Sequence, residues 1–570
     1  MSMKKSWVSW LLITLATLSV IFLRLYKLGT VPNGIHADEA SYGYDAYSIL
    51  KTGRDVWGER LPLAFKSFGE YKLNLTYLIA PAIQLVGLNT TATRAPSAIA
   101  GIATAFVLYS TLNLLYKNKI VNAILTLIFT TSPWTFGISR VFFESNVALA
   151  FFAFGFFGIL RAIKTQKADR LYVLSLISLA LAGYFYAPLR FIGGAALVAG
   201  LYYSRQAVHK SLFIYLLIII PILPQYFSGI GLKRLEQESG LRSFEHALII
   251  DENRAFCGYK FCYGFWNKPV MRLESIVHAA AASIGVNYLF LDSVDGYIVP
   301  PSTGPYLSYL LPFFLVGIYV LTKKKEPLLV CTLLISLLIA SSGGKLSLYR
   351  NVVGLYLVFV IIALGTHASY EYVRKHTSHI RNVLLIMFFI VAGYLHARFL
   401  THYFLVYAKS ATFAWSSDAE HIARYIGERA DDYRTIMDKS AGDFGPLYYA
   451  FFNGYDPELF RVRAEWTSGD PAGWTHVGKL GHIVSFDNRS IENLLCEKAS
   501  APQDEYSALY ITAPLGDYSR FADRVTTNWR GDKILHEFYD IDSLYDKLQS
   551  DNVANIPRIC PREAALWPKR

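Results

Sequence analysis

The fold class predicted by the sequence is a polytopic α-helical membrane protein of about eleven transmembrane helices with a small C-terminal α/β domain. Three observations lead there. Of the 570 residues, 53% are hydrophobic and only 17% are charged, against about 25% charged in a soluble domain. The long apolar runs fall within residues 1–405, while 406–570 has an ordinary soluble composition. The net charge of +12 is spread over short basic clusters between apolar runs. That is how topogenic charges are distributed, and it argues against a nucleic-acid surface.

The chain opens Met1-Ser2-Met3-Lys4-Lys5 and continues in an apolar run from Trp7 to Leu23. The run leads into Arg24-Leu25-Tyr26-Lys27 with no small-residue cleavage site, so it reads as an uncleaved anchor with a cytoplasmic N-terminus. Further spans of roughly 20 apolar residues are expected at 95–116, 120–138, 146–162, 171–187, 191–204, 211–228, 305–322, 327–342, 350–368 and 382–405. The run 73–88 is short and holds Pro81 and Gly87, which suits a re-entrant or juxtamembrane helix. If it does not cross, the short loops on the cytoplasmic side carry 14 Lys and Arg and the opposite loops 4. A crossing would invert that balance against the positive-inside rule. The expected outer segments are therefore 27–94, 139–146, 229–304 and the domain 406–570, with 1–405 as the membrane domain. The expected location is the cell membrane of a prokaryote, as a multi-pass protein with its C-terminal domain extracytoplasmic.

In the tail, Ala419–Ile426 has helical spacing that Ser417 or Asp418 is placed to cap. Gly481–Phe486 and Ala508–Thr512 read as strands. No nucleotide loop or metal-ligand spacing occurs there, and the domain reads as an acceptor-positioning element or a structural cap. Cys257 and Cys262 share one outer loop, and Cys496 and Cys560 share the tail. Both pairs are candidate disulfides in an oxidising compartment, with free thiols as the alternative.

Four loop sites carry residues suited to chemistry. Asp38 and Glu39 form an acidic pair soon after the first span. Charge so near a membrane usually marks function or a partner, and Asp38 suits a general base. The alternative is an acidic first helical turn. Glu70 and Lys72 precede the apolar run, where Lys72 suits a lipid phosphate or is an ordinary snorkelling lysine. Arg140 and Glu144, four apart, either pair with each other or serve a phosphate and an acceptor. Arg350 opens another span at the outer side, as a phosphate ligand or a boundary arginine.

The ordered set resembles the GT-C glycosyltransferases that use polyprenyl-phosphate sugars, the group of protein O-mannosyltransferases and aminoarabinose transferases (glycosyltransferase family 39-like). The resemblance lies in one span, the Asp38-Glu39 pair, Glu70-Tyr71-Lys72 before an apolar run, Thr93-Arg94-Ala95-Pro96-Ser97-Ala98, Ser132-Pro133, and Ser139-Arg140 with Glu144. It covers 7–165 by residues and 166–405 by span pattern only. Tyr71-Lys72-Leu73 stands where many members have Lys-Pro-Pro, and Glu144 where many have Asp.

The resemblance implies Asp38 as catalytic base beside Glu39. Lys72 and Arg140 would hold the donor phosphate, with Arg350 as a further candidate, and Glu70 and Glu144 would face the acceptor or sugar. The implied partners are a polyprenyl-phosphate-linked sugar, an unidentified acceptor and the bilayer. No cofactor is required in principle, and a divalent metal stays open. Two rivals remain: a transporter or lipid flippase, and a non-catalytic scaffold. The acidic residues lie in loops rather than mid-span, and no internal repeat is visible.

Overall fold

Apolar runs bounded by basic residues become helices through most of the chain, and alternating runs become strands near its C-terminal end. The structure, a computed structural model, describes residues 2–67, 70–73, 75–167, 169–204, 213, 215–217, 220, 244–292, 296, 298–324, 326–375, 378–410, 415–467, 475–485, 487–501, 506–528 and 530–550.

The helices used below are α1 (Ser2–Leu25), α2 (Ala37–Thr52), α3 (Thr76–Val86), α4 (Thr90–Leu115), α5 (Lys119–Thr130), α6 (Pro133–Ile138), α7 (Glu144–Thr165), α8 (Arg170–Phe185) and α9 (Pro188–Ser204). They continue with α10 (Phe244–Cys257), α11 (Lys268–Ala282), α12 (Leu311–Lys324), α13 (Pro327–Ala340), α14 (Val352–Arg374) and α15 (Ser378–Thr401). The last five are α16 (Ala419–Arg429), α17 (Gly445–Asn453), α18 (Pro457–Arg463), α19 (Ile491–Ser500) and α20 (Ile541–Ser550).

By contacts the chain divides into two compact units. The first is Met1–Leu28, Leu73–Leu75 and Arg94–Tyr407; the second is Gly29–Lys72, Thr76–Thr93 and Ala408–Arg570. The first outer loop thus groups with the tail, whereas the sequence reading had assigned it to the membrane domain.

In the first unit, α14 is apolar all round and buried from Val352 to Gly365, as befits a central helix. Glycines let its backbone approach α12: a Cβ on Gly317 would strike the Ile361 carbonyl, and one on Gly365 the Phe313 carbonyl. Small residues serve helix contacts this way in membranes, where lipid gives no hydrophobic drive between helices.

Four helices among the described residues are long and apolar enough to cross a membrane: Thr90–Leu115, Glu144–Thr165, Val352–Arg374 and Arg381–Ser410. Shorter apolar helices of 10–17 residues occupy other expected spans, so helix length does not establish a count of eleven. The run 120–138 breaks in two. Pro133 lacks the N–H a continuing helix needs and instead opens α6. The expected span 211–228 and loop residues 229–243 lie largely outside the described residues. Downstream, the loop folds into α10 and α11. Cys257 and Cys262 are joined by a disulfide, Cys496 is disulfide-bonded, Cys331 is free, and Cys560 lies outside the described residues.

The second unit carries a short hairpin of β1 (Ala64–Ser67) and β2 (Glu70–Leu73). Its main sheet has β3 (Thr435–Asp438), β4 (Ala464–Trp466), β5 (Val477–Leu480), β6 (Ile483–Val484), β7 (Ala508–Thr512), β8 (Arg524–Thr527) and β9 (Ile534–Asp540). The spatial order is β4-β5-β6-β3-β7-β9-β8. Central β3 runs parallel to β6 and β7, and the flanking pairs are antiparallel.

Helix α2 packs within this unit: the Tyr44 ring lies 5.0 Å from Phe460, and its hydroxyl donates to the Tyr455 carbonyl at 2.9 Å. Trp57 stacks on Trp466 at 3.7 Å. Burying one such ring contributes roughly 2–3 kcal/mol. Asp418 does precede α16 as expected, but its side chain makes no capping bond. Its carboxylate accepts from Thr526 at 2.7 Å and meets His536 Nδ1 at 2.6 Å instead.

Candidate functional site

Helix α2 begins at a tight turn. Gly34 has φ +91° and faces the Trp415 carbonyl so closely that a Cβ would collide with it. His36 is the N-cap: its Nδ1 accepts the Asp38 N–H at 3.2 Å, and the Glu39 carboxylate accepts the His36 N–H at 3.1 Å. This reciprocal cap satisfies two orphan donors of the first turn. It also separates the acidic pair. Glu39 is 1% exposed and committed to the cap, while the Asp38 side chain keeps 29% of its exposure. Asp38 Oδ2 lies 3.6 Å from His36 Nδ1. Carboxylates here also gain from the positive end of the helix dipole. The acidic-first-turn alternative is thus realised, and it leaves Asp38 accessible.

Buried Tyr448 stands behind the turn, its hydroxyl donating to the Ile35 carbonyl and hydrogen-bonded to the Ser416 hydroxyl, each at 3.2 Å. Burial raises its phenol pKa, and the charges of Glu39 and Asp38 raise it further, so it stays protonated. Two turns beyond Asp38 lies Asp45, 1% exposed, with Oδ1 accepting the Val56 N–H at 3.1 Å. Desolvation pushes its carboxyl up to about 8 against the pull of that hydrogen bond, and neighbouring Asp55 adds to the rise. His36, Tyr448 and Asp45 were missed in the sequence. Histidine is not a favoured cap, Tyr448 comes from the distant tail, and Asp45 looks like any polar helical residue.

The other expected residues divide between the units. Glu70 and Lys72 share the second unit with Asp38 and Glu39. Lys72 lies on β2, four residues before α3 starts at Thr76. The helix expected over 73–88 therefore begins only at Thr76, with Lys72 on the strand before it, and the side chains of Glu70 and Lys72 lie outside those described. Helix α3 has 11 residues, ~16 Å at 1.5 Å per residue, short of a bilayer core.

Arg140, Glu144 and Arg350 belong to the first unit. Arg140 is fully buried. Its Nη1 donates to the carbonyls of Leu23 at 2.8 Å and Arg24 at 3.2 Å, and its Nη2 to those of Tyr26 at 2.7 Å and Lys27 at 3.0 Å. The guanidinium therefore closes the C-terminal end of α1, where carbonyls are orphaned, rather than opening toward a ligand as the sequence reading had it. Arg94 donates to the Leu28 carbonyl at 3.3 Å. Arg24 is 1% exposed, with its Nε and Nη1 lacking a hydrogen-bond partner. Both Arg24 and Arg140 lie over the Phe136 ring, at 5.3 and 5.5 Å. A buried cluster of three arginines had no local sequence signature. Glu144 is half-buried in the first turn of α7, and Arg350 is half-buried with its guanidinium 5.9 Å from the Tyr349 ring.

No known protein family and no curated protein matches this sequence. Among solved structures, the chain is similar to ArnT from Cupriavidus metallidurans bound to undecaprenyl phosphate. That match has 12% identity and a TM-score of 0.48, covering 97% of this chain and 99% of that one. It is also similar to the apo oligosaccharyltransferase of Archaeoglobus fulgidus, with 13% identity and a TM-score of 0.49 over 79% of this chain. A second structure of that enzyme, with an inhibitory peptide and dolichol-phosphate, gives 12% identity and a TM-score of 0.47. The chain spans about two thirds (64%) of the oligosaccharyltransferase's length. Likeness at this level assigns neither activity nor substrate.

Proposed function

We propose that this protein is a membrane glycosyltransferase that moves a sugar from a polyprenyl-phosphate donor to an acceptor hydroxyl on the extracytoplasmic face. The observation that carries the reading is the asymmetry of the acidic pair. Glu39 is spent on the cap of α2, and Asp38 is held beside it with its carboxylate accessible. A carboxylate fixed at a helix start and partly exposed is placed to take a proton from an incoming hydroxyl.

The reaction is a single displacement. The acceptor oxygen attacks the anomeric carbon, the bond to the phosphate oxygen breaks, and Asp38 receives the acceptor proton. Lys72 stabilises charge on the departing lipid phosphate, usually a large catalytic contribution. Glu70 faces the acceptor or sugar. Arg140 holds the end of α1.

The test incubates purified full-length protein with radiolabelled polyprenyl-phosphate sugars and membrane extract. Wild type should label an acceptor, and Asp38→Asn should lower the rate by about 10²–10⁴-fold, the usual worth of a general base. Unchanged transfer in Asp38→Asn removes Asp38 from the mechanism. Label that crosses vesicles without joining an acceptor favours the transporter reading.

A further inference from the structure

The first unit holds a cavity that the proposed reaction does not use. Helix α4 runs on from Arg94 to Leu115, about 30 Å at 1.5 Å per residue. The cavity opens just past Leu115, so it lies at the opposite membrane face from the arginine cluster. Its volume is about 600 Å³. It is framed by Tyr116 and Lys117 after α4 and by the C-terminal parts of α12 and α14.

Position along the helices sets the order of its wall. Val320 on α12 and Leu364 on α14 lie deeper in the bundle than Lys324, Glu371 and Arg374 on the same helices. An apolar wall therefore leads up to a charged rim. The rim carries Lys117, Lys324 and Arg374 against Glu371, which pairs with Arg374 at 2.7 Å. Glu326, just before α13, is a carboxylate whose charge is felt at Tyr116.

The floor is rigid. The Tyr116 ring stacks on buried His367 with centroids 3.8 Å apart. His367 Nε2 shares a 2.7 Å hydrogen bond with Asn122 Oδ1. Lys324 Nζ stands 5.7 Å from the Tyr116 ring. The Tyr116 hydroxyl is buried without a hydrogen-bond partner. A buried polar atom left unsatisfied is costly, and the ring that carries this one borders a cavity rimmed by cations.

We propose that this cavity binds the phosphate headgroup of an anionic phospholipid. Lys117 and Lys324 meet the phosphate, and the acyl chains run along Val320 and Leu364. Basic pockets between membrane helices recognise such headgroups. The sequence from apolar wall to cationic rim matches a lipid lying across the bilayer interface. A soluble phosphate has no use for that wall.

The test is native mass spectrometry of the delipidated full-length chain in neutral detergent. It is titrated with phosphatidylglycerol and with phosphatidylcholine of the same acyl chains. Wild type should retain phosphatidylglycerol preferentially. Lys117→Gln with Lys324→Gln should weaken its binding about fivefold per lysine removed, the factor that ~1 kcal/mol per basic residue implies. Lys164→Gln with Lys167→Gln, outside the cavity, should keep the preference. Equal retention of the two lipids by wild type, or an undiminished preference in the cavity variant, overturns the proposal. So does an equal loss in the control variant. Displacement by millimolar inorganic phosphate at equal affinity overturns the lipid assignment.

Discussion

Replacing Asp45 with Asn probes the buried side of the helix that presents Asp38. The Asn side chain keeps an oxygen for the Val56 N–H and loses only the ability to ionise. In the native chain desolvation raises the Asp45 carboxyl from an ordinary 3.8 to about 8. The folded state therefore holds a proton that the unfolded chain releases anywhere between those values. Where the native state binds the extra proton, stability falls as pH rises. Wild type thus loses stability from pH 4 to pH 8 relative to Asp45→Asn, and the difference levels off above 8. At 1.36 kcal/mol per pH unit the ceiling is ~6 kcal/mol. Water entry and relaxation around a charged carboxylate reduce this, so about 2–4 kcal/mol is expected in a medium of intermediate dielectric. Tryptophan-fluorescence melting of detergent-solubilised protein at pH 4 to 9 measures it. A gap between wild type and variant that stays constant with pH would refute the burial argument.

Other outcomes follow from single contacts. Arg140→Leu should cost about 2–4 kcal/mol, since carbonyls at the end of α1 lose donors in a buried site; denaturant titration in detergent reads it. Gly34→Ala should destabilise the unit by about 1–3 kcal/mol, because it adds strain at positive φ and a collision with the Trp415 carbonyl; limited proteolysis near residue 36 should accelerate. Burial opposes the charge on His536, but its bond to Asp418 and that charge prevail and raise its pKa, while the same bond lowers Asp418 against desolvation. The stabilisation is complete below the ordinary histidine pKa of 6.5, lost as pH climbs through the raised value, and lost again in acid as Asp418 protonates. His536→Gln should therefore destabilise at pH 6 and nearly match wild type at pH 9.5, as seen by thermal melting.

Local pattern made the helices legible, and non-local packing hid much of the rest. Apolar length and flanking charge located α1, α4, α7 and α14, and Ala419–Arg429 was visible from its spacing. The break between α5 and α6 was legible in Ser132-Pro133 but was subsumed into a single run. The apolar stretch after Lys72 predicts a helix from residue 73, yet the chain stays extended to Leu73 because β2 pairs with β1. Strand order in the tail depends on β3 pairing with β7 some 70 residues on, which no local signal encodes. The acidic pair stood out as a feature near the membrane. Its division into one capping and one partly exposed carboxylate needed the backbone trace around His36.

Because residues 29–72 and 76–93 belong to one unit with residues from 408 onward, that unit is discontinuous in the chain. About 300 residues must be synthesised between its two parts, which at 5–20 residues per second takes ~15–60 s. During that interval Tyr44 lacks Phe460, Trp57 lacks Trp466, and the turn at Gly34 lacks Trp415. Nascent protein should therefore expose an aromatic, protease-sensitive segment until its last third arrives. Removing the tail would unmake the scaffold around Asp38 rather than trim a separable module.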